Sequence, residues 1–377
     1  MLQTPLRLLL TLRPSTTPGL LVAIAVSTAV FSATPFLVTA IAADRDIAVG
    51  AVGVISTAQL GGFMIASWGA GRLLRPRRRT LAVAVLLGIA ANAWSAVAPT
   101  FALLVASRLV SGISLGLISW IAWAEVFGDD DKVGDIAVIG PIVGIVSSPL
   151  IATVLDAAGP DVLFLALSAL HLVPLAFIGS TRIDAAARPH RQRHRPTRAA
   201  AAILAALGCV TFGGSAVFVY AAAIGRDEIG LPALTVSLAF SANALAGVPS
   251  ARWRGVRRLS GAWIVVTASM AVLLTTVQNP VVFWLALTMW GFSFWMAIPG
   301  AFSLLAERSR YPDERAGDAQ AVMAAGRVAG PLLGGAVYAT SIPMLGVVGG
   351  GIILVAATAM LYVEWRIHPD VLRPSRA

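Results

Sequence analysis

Residues 19–43 read GLLVAIAVSTAVFSATPFLVTAIAA, a run without a single charged side chain. At about 1.5 Å per residue, a helix of that length exceeds the ~30 Å hydrocarbon core of a bilayer. Arg7 and Arg13 precede the run, as they would the apolar part of a signal peptide. It is too long for one, however, and Asp44-Arg45-Asp46 stands where a small-residue cleavage site belongs. It reads as a retained first membrane helix. Working outward, the same pattern predicts helices over 50–71, 80–98, 101–124, 134–155, 161–179, 199–223, 231–250, 260–278, 281–305, 317–339 and 343–363. The expected fold is an all-α membrane protein with twelve transmembrane helices.

Composition agrees. Of 377 residues, 58% are hydrophobic and 12% charged, about half the charge share of a soluble domain. A net charge of +10 would point to nucleic acid in a soluble protein, but here the basic residues sit in short links between apolar runs. They therefore report topology. Cys209 is the only cysteine and has no intramolecular disulfide partner. The sequence holds no Gly-x-x-x-x-Gly-Lys-Ser/Thr loop, metal-ligand cluster, nucleophile–His–acid set or dinucleotide fingerprint. An enzyme, a cofactor, a bound metal and a nucleic-acid partner are accordingly not expected.

Arginine and lysine in alternate links fix an expected orientation. One side, which includes both termini, carries 24 of the 28 basic residues, and the other carries only Arg45 and Arg226. By the positive-inside rule both termini are cytoplasmic. The longest polar link, rich in Arg, His and Pro, divides the chain into an N-terminal six-helix bundle (1–180), a basic cytoplasmic linker (181–198) and a C-terminal bundle (199–377). The halves resemble each other. Helix two ends in a Gly/Arg cluster through Arg79 and helix eight in another through Arg258. Helix five carries Gly140-Pro141-x-x-Gly144, and helix eleven carries Gly330-Pro331-x-x-Gly334-Gly335. Internal duplication of this kind marks secondary transporters.

With these motifs in order along all twelve helices, the chain resembles the major facilitator superfamily, and within it the drug-efflux-like proton antiporters. Three elements carry the resemblance. The link after helix two, Gly71-Arg72-Leu73-Leu74-Arg75-Pro76-Arg77-Arg78-Arg79, is similar to the family's Gly-x-Leu-Ala-Asp-Arg-x-Gly-Arg-Lys but lacks its Asp; Asp129 to Asp131 are candidate substitutes. Helix four carries Leu104-x-x-x-Arg108-x-x-Ser111-Gly112-x-x-x-Gly116, similar to the family's Leu-x-x-Arg-x-x-Gln-Gly-x-Gly, and the resemblance implies that Arg108 couples proton movement. The antiporter element Gly-x-x-x-Gly-Pro-x-x-Gly-Gly is incomplete in helix five, where Ile136 and Ile145 replace two glycines. In helix eleven it is complete, from Gly326 to Gly335. Glycine permits close helix approach and proline bends the helix, so Gly112, Gly140, Pro141, Gly144, Gly326, Gly330, Pro331 and Gly334 are expected to act as conformational pivots.

Arg327, near the centre of helix eleven, is the most informative residue. A charge at the midplane costs at least ~2.5 kcal/mol and needs a partner. Asp318 is about 13.5 Å away along the helix, and Glu125, Asp135 and Asp156 lie near helix ends. Two membrane arginines without membrane acids predict a cavity tolerant of anionic or zwitterionic solutes. Asp135 and His171 join Arg108 as candidates in proton coupling. In the family the cavity is lined by helices one, four, seven and ten, so Phe31, Thr34, Trp120, Tyr220, Trp290, Phe294 and Trp295 are expected to line it with Arg327.

The function expected is proton-coupled export of a small amphipathic organic solute by alternating access, by a monomer in contact with membrane lipid. The alternatives are an importer of an organic anion, a lipid flippase and a transport-inactive sensor or scaffold of the same fold. The near-absence of lysine, Lys132 being the only one, suggests a GC-rich bacterial source and hence an inner-membrane location.

Overall fold

Why the chain folds into helices follows from its solvent. Backbone groups in lipid must be satisfied by the protein itself, and an α-helix does this within a single segment. A computed structural model describes residues 17–126, 130–181, 183, 194–251 and 259–366. In chain order the helices are α1 (Pro18–Arg45), α2 (Val54–Leu73, led by a helical turn Val49–Val52), α3 (Arg78–Ala96) and α4 (Phe101–Val126). A continuous run, Asp130–Leu170, turns sharply at Gly159, whose φ of 78° and ψ of −179° are open to glycine but not to an L side chain. Its two arms, 130–158 and 160–170, are α5 and α6, and α6 continues through Leu172–Phe177. The second half comprises α7 (Arg198–Phe218, extended by Ala221–Ala223 and a π-helical turn Ile224–Glu228), α8 (Ala233–Ala251) and α9 (Ser260–Thr276). It ends with α10 (Pro280–Glu307), α11 (Pro312–Tyr338) and α12 (Ile342–Arg366).

Among the described residues, ten helices are long and apolar enough to cross a membrane. One of the ten is the α5–α6 run, and α9 is a shorter apolar helix of 17 residues outside the ten. Counted separately, they bring the number to the twelve expected. Local chemistry sets the ends. Proline occupies the first turn of α1, α10 and α11, where its missing N–H costs nothing. The Asn279 side chain accepts from the Val281 and Val282 amides at 2.9 and 3.2 Å, and Thr197 accepts from the Ala200 amide.

The packing repeats across the halves. α4 packs on α2 and α3 as α10 packs on α8 and α9; α3 meets the α5–α6 run as α9 meets α12; α1 meets that run as α7 meets α11 and α12. The halves join where α2 meets α11 and where α8 meets the α5–α6 run.

Contacts also separate the two ends of the bundle. At one end Arg78 donates to the Gly179 carbonyl and Thr197 to that of Arg308. These are the arginine-rich links. At the other, Arg45 donates to the Ala98 carbonyl at 2.8 Å, and Arg226 approaches Asp156 across the halves at 4.0 Å.

Candidate functional site

Between the halves, at mid-helix, lies a cavity of about 300 Å³. α1 contributes Phe31, Thr34 and Pro35, and α2 contributes Ser56, Gln59 and Leu60. α7 supplies its 210–219 face, α8 Asn243, α10 Trp290, Gly291, Phe294 and Trp295, and α11 Arg327. Aromatic packing shapes the wall. Phe218 rests on Trp290 at 5.7 Å between ring centroids and on Phe240 at 5.3 Å, and Phe36 meets Phe240 across the halves at 4.9 Å. A proline follows three wall residues at i+4: Pro35 after Phe31, Pro299 after Trp295, Pro331 after Arg327. Each lacks the N–H that would have bonded the carbonyl four residues earlier. The cavity wall therefore coincides with the weak points of three helices.

Arg327 is the charged residue of the wall, and the described lining contains no carboxylate. Asp318 bonds Arg315 at 2.6 Å instead, as its distance along α11 from Arg327 requires. Six of the eight residues expected to bind substrate meet in the cavity: Phe31, Thr34, Trp290, Phe294, Trp295 and Arg327. Trp120 and Tyr220 stand elsewhere. Trp120 packs on the Leu20, Leu81 and Ile118 cluster. Tyr220 is buried where α7 breaks, its hydroxyl within 2.9 Å of the Pro331 carbonyl and 3.2 Å of that of Gly50. The expected lining by helices one, four, seven and ten is corrected to α1, α2, α7, α8, α10 and α11, because α4 turns its polar face into its own half.

That face holds Arg108, only 1% exposed. Its Nε and Nη2 donate to Gln59 Oε1 at 3.3 and 2.9 Å, Nη1 to Asn92 Oδ1 at 2.9 Å and Ser95 Oγ at 3.3 Å, and Nη2 to Ser111 Oγ at 3.1 Å. All five N–H groups of the guanidinium are thus accounted for by uncharged acceptors. The Phe164 ring lies 5.1 Å from its carbon. This network bridges α2, α3 and α4 directly behind the cavity wall. His171, at the interruption of α6, is fully buried. Its Nδ1 lies 2.7 Å from the Leu167 carbonyl, which assigns the proton to Nδ1, and Nε2 has no partner in the described structure. Asp135 lies on α5 but its side chain is outside the described set, as are the side chains of Arg72, Asp130 and Asp131, the surroundings of Gly71, and all of Asp129. Arg77 and Arg78 are exposed at the start of α3.

The glycines divide. A Cβ at Gly112 would meet the Gln59 backbone, at Gly326 the Gly208 carbonyl, at Gly330 Ser215 and the Phe212 carbonyl, and at Gly334 the Ala216 carbonyl. At Gly144 it would touch Ala244 across the halves at 3.2 Å. These are close helix approaches. Gly140 differs: among the described residues a Cβ there meets nothing within 4 Å, so no described packing requires glycine beside Pro141.

What sequence reasoning missed is the carboxamides. Gln59, Asn92 and Asn243 lie inside apolar runs, where a polar side chain is expensive in lipid and demands a use. Gln59 and Asn243 occupy matching places in the two halves. Gly112 of α4 packs on the Gln59 backbone, and Gly291 of α10 packs on the Asn243 backbone. The amide oxygen of Gln59 faces Arg108, while the amide nitrogen of Asn243 donates to the Leu287 carbonyl at 2.7 Å. Arg108 and Leu287 each precede the packing glycine by four residues.

The profile of the Major Facilitator Superfamily matches residues 19–327. The chain belongs to that family. It is therefore a multi-pass membrane protein and a secondary transporter, not an enzyme. Solved structures show the same major facilitator fold at low identity. The human organic anion transporter MFSD10 (TETRAN) is 15% identical, with a TM-score of 0.64 over 91% of this chain and 97% of that one. A mutant form of the nucleoside transporter NupG is 13% identical, with a TM-score of 0.70 over 92% and 98%. No curated protein matches the sequence of this facilitator.

Proposed function

We propose that this transporter exports a small amphipathic organic solute in exchange for protons, by alternating access of the central cavity, in the manner of the drug-efflux-like antiporters. The observation that carries the reading is the cavity itself, which sets aromatic walls from α1, α7 and α10 around one arginine. An apolar body with a polar or anionic end fits such a wall. In this reading the units 1–180 and 199–377 rock about the 2–11 and 5–8 helix contacts, and the close-packed glycines let the helices slide as they do so. Arg108, Asp135 and His171 are the residues assigned to proton coupling in this reading. A monomer has every part of this site.

The arginine bias supports a bacterial inner-membrane location with both termini cytoplasmic. In that orientation the end closed by Tyr220, Arg226 and Asp156 is the periplasmic one.

Import of an organic anion is a second reading. It is favoured by Arg327 in a described lining without carboxylates and by the similarity of fold to MFSD10, an organic anion transporter.

Reconstituted proteoliposomes with an imposed pH gradient, given matched anionic, neutral and cationic aromatic solutes, decide the matter. Expulsion of anionic or zwitterionic solutes against their gradient, lost on adding a protonophore, is the expected result. Flux of every responsive solute that ignores the pH gradient overturns proton coupling. Accumulation only in the inward direction selects the import reading.

A further inference from the structure

Gln59 occupies a constrained position. Arg108 offers only donors, so the amide oxygen of Gln59 must face it, and the two N–H groups of Nε2 must point elsewhere. Gln59 is 2% exposed, its Nε2 has no partner in the described structure, and the residue lines the cavity. One turn earlier on the same face is Ser56, 1% exposed, cavity-lining, its hydroxyl equally without a partner. Between them in sequence, Thr57 donates to the Val328 carbonyl at 3.1 Å. That bond holds this face of α2 against the turn of α11 that carries Arg327.

We infer that Gln59 and Ser56 of α2, with Arg327 of α11, form a donor subsite for the carboxylate of an aromatic carboxylic acid. The inference rests on the central cavity being the transport site. Buried N–H and O–H groups without partners are retained where a ligand supplies the acceptors, and a carboxylate supplies about four lone pairs to a planar set of donors. The opposite wall has the opposite character. Asn243 commits its nitrogen to Leu287 and leaves its oxygen as the acceptor there. The aromatic rings Phe218 and Trp290, in contact with each other, belong to the same lining. The cavity is thus polarised from donors at α2 and α11 to an acceptor at α8. A hydroxylated aryl carboxylate matches this order, whereas an amine would place donors against donors.

The test uses the full-length protein in detergent and reads tryptophan fluorescence and thermal shift. Three probes share one skeleton: hydroxyphenylpropionate, hydroxyphenylpropionamide and hydroxyphenylpropylamine. The wild-type protein is expected to favour the propionate over the propylamine by at least about tenfold. Gln59→Glu keeps an oxygen for Arg108, so the fold is retained, but it turns a second oxygen toward the cavity. The preference is expected to reverse. Ser56→Asp, which does not touch Arg108, should reverse it as well, and Ser56→Ala should weaken the propionate several-fold with little effect on the amine. Retention of the carboxylate preference in both acidic variants overturns the subsite while leaving the cavity reading in place. A wild-type preference for the amine overturns it too. If none of the three probes binds the wild-type protein, the cavity reading fails and the subsite fails with it.

Discussion

Arg108→Met is expected to reduce flux below about a tenth of wild type and to lower thermal stability, whereas Arg108→Lys recovers part of the stability and none of the flux. The guanidinium reaches Gln59 on α2, Asn92 and Ser95 on α3, and Ser111 on its own helix. Removing it leaves the oxygens of Gln59 and Asn92 buried without donors, at about 1–3 kcal/mol each. Lysine supplies three N–H groups from one point and cannot span both amides, so it repairs one acceptor and leaves the fork broken. Arg108 also fixes which way the Gln59 amide faces. Once it is gone, that amide can rotate and offer either atom to the cavity. Arg108→Met should therefore bind anionic and cationic probes with nearly equal affinity. Melting curves, proteoliposome flux and probe selectivity measured on both variants separate the outcomes. A purely structural arginine predicts that flux follows stability and that selectivity is unchanged, and that result would sink a role for Arg108 beyond packing.

The same network shows what a sequence can and cannot disclose. Apolar runs state the helices plainly, because uninterrupted runs of this length cross lipid as helices and not as the short alternating strands of a barrel, and the Gly-x-x-x-Gly-Pro spacing of α11 marks its close approaches to α7. Arg108 and Arg327 stand out because charge in a membrane is costly. Less legible is which face of a helix meets which neighbour. α4 carries two tryptophans and an arginine and so reads as a cavity helix, yet Arg108 is engaged by α2 and α3, and Trp120 packs on α1 and α3 residues. Tyr220 reads as a ligand contact from its place on helix seven. In the structure the break of α7 after Phe218 rotates it away, and its hydroxyl reaches carbonyls of α11 and the turn before α2. Gln59 and Asn243 are visible in the sequence as carboxamides inside apolar runs, but their opposite orientations emerge only from what lies behind them. The partner sets the amide, and sequence spacing does not name the partner.

Tyr220 leads to the other large effect, at the end of the bundle away from the arginine-rich links. There the turn before α2 lies directly on α11. A Cβ at Gly50 would meet the Gly335 carbonyl, one at Gly335 would meet the Gly50 carbonyl and the Tyr220 hydroxyl, and one at Gly53 would meet that hydroxyl. Close backbone contact of this kind is bistable: it is either made or separated, with little room between. Gly335→Val places a branched side chain in the seam and is expected to hold this end apart. The reporter is a cysteine at cavity residue Thr34 in a Cys209→Ala background, and the reading is its labelling rate by a membrane-impermeant thiol reagent from the arginine-poor side. Gly335→Val should raise that rate by about tenfold or more, the ratio that a 1.4 kcal/mol shift between closed and open states produces. Tyr220→Phe removes one hydrogen bond and leaves the seam intact, so a bond worth about 0.5–1.5 kcal/mol predicts a smaller rise of a few-fold. Gly140→Ala, where a Cβ meets nothing within 4 Å among the described residues, should leave labelling at the wild-type rate. Equal rates in the Gly335→Val and Gly140→Ala variants would show that the seam does not govern access to the cavity. A graded order, valine above phenylalanine above the Gly140 control, ties access to a place where the two halves meet backbone to backbone.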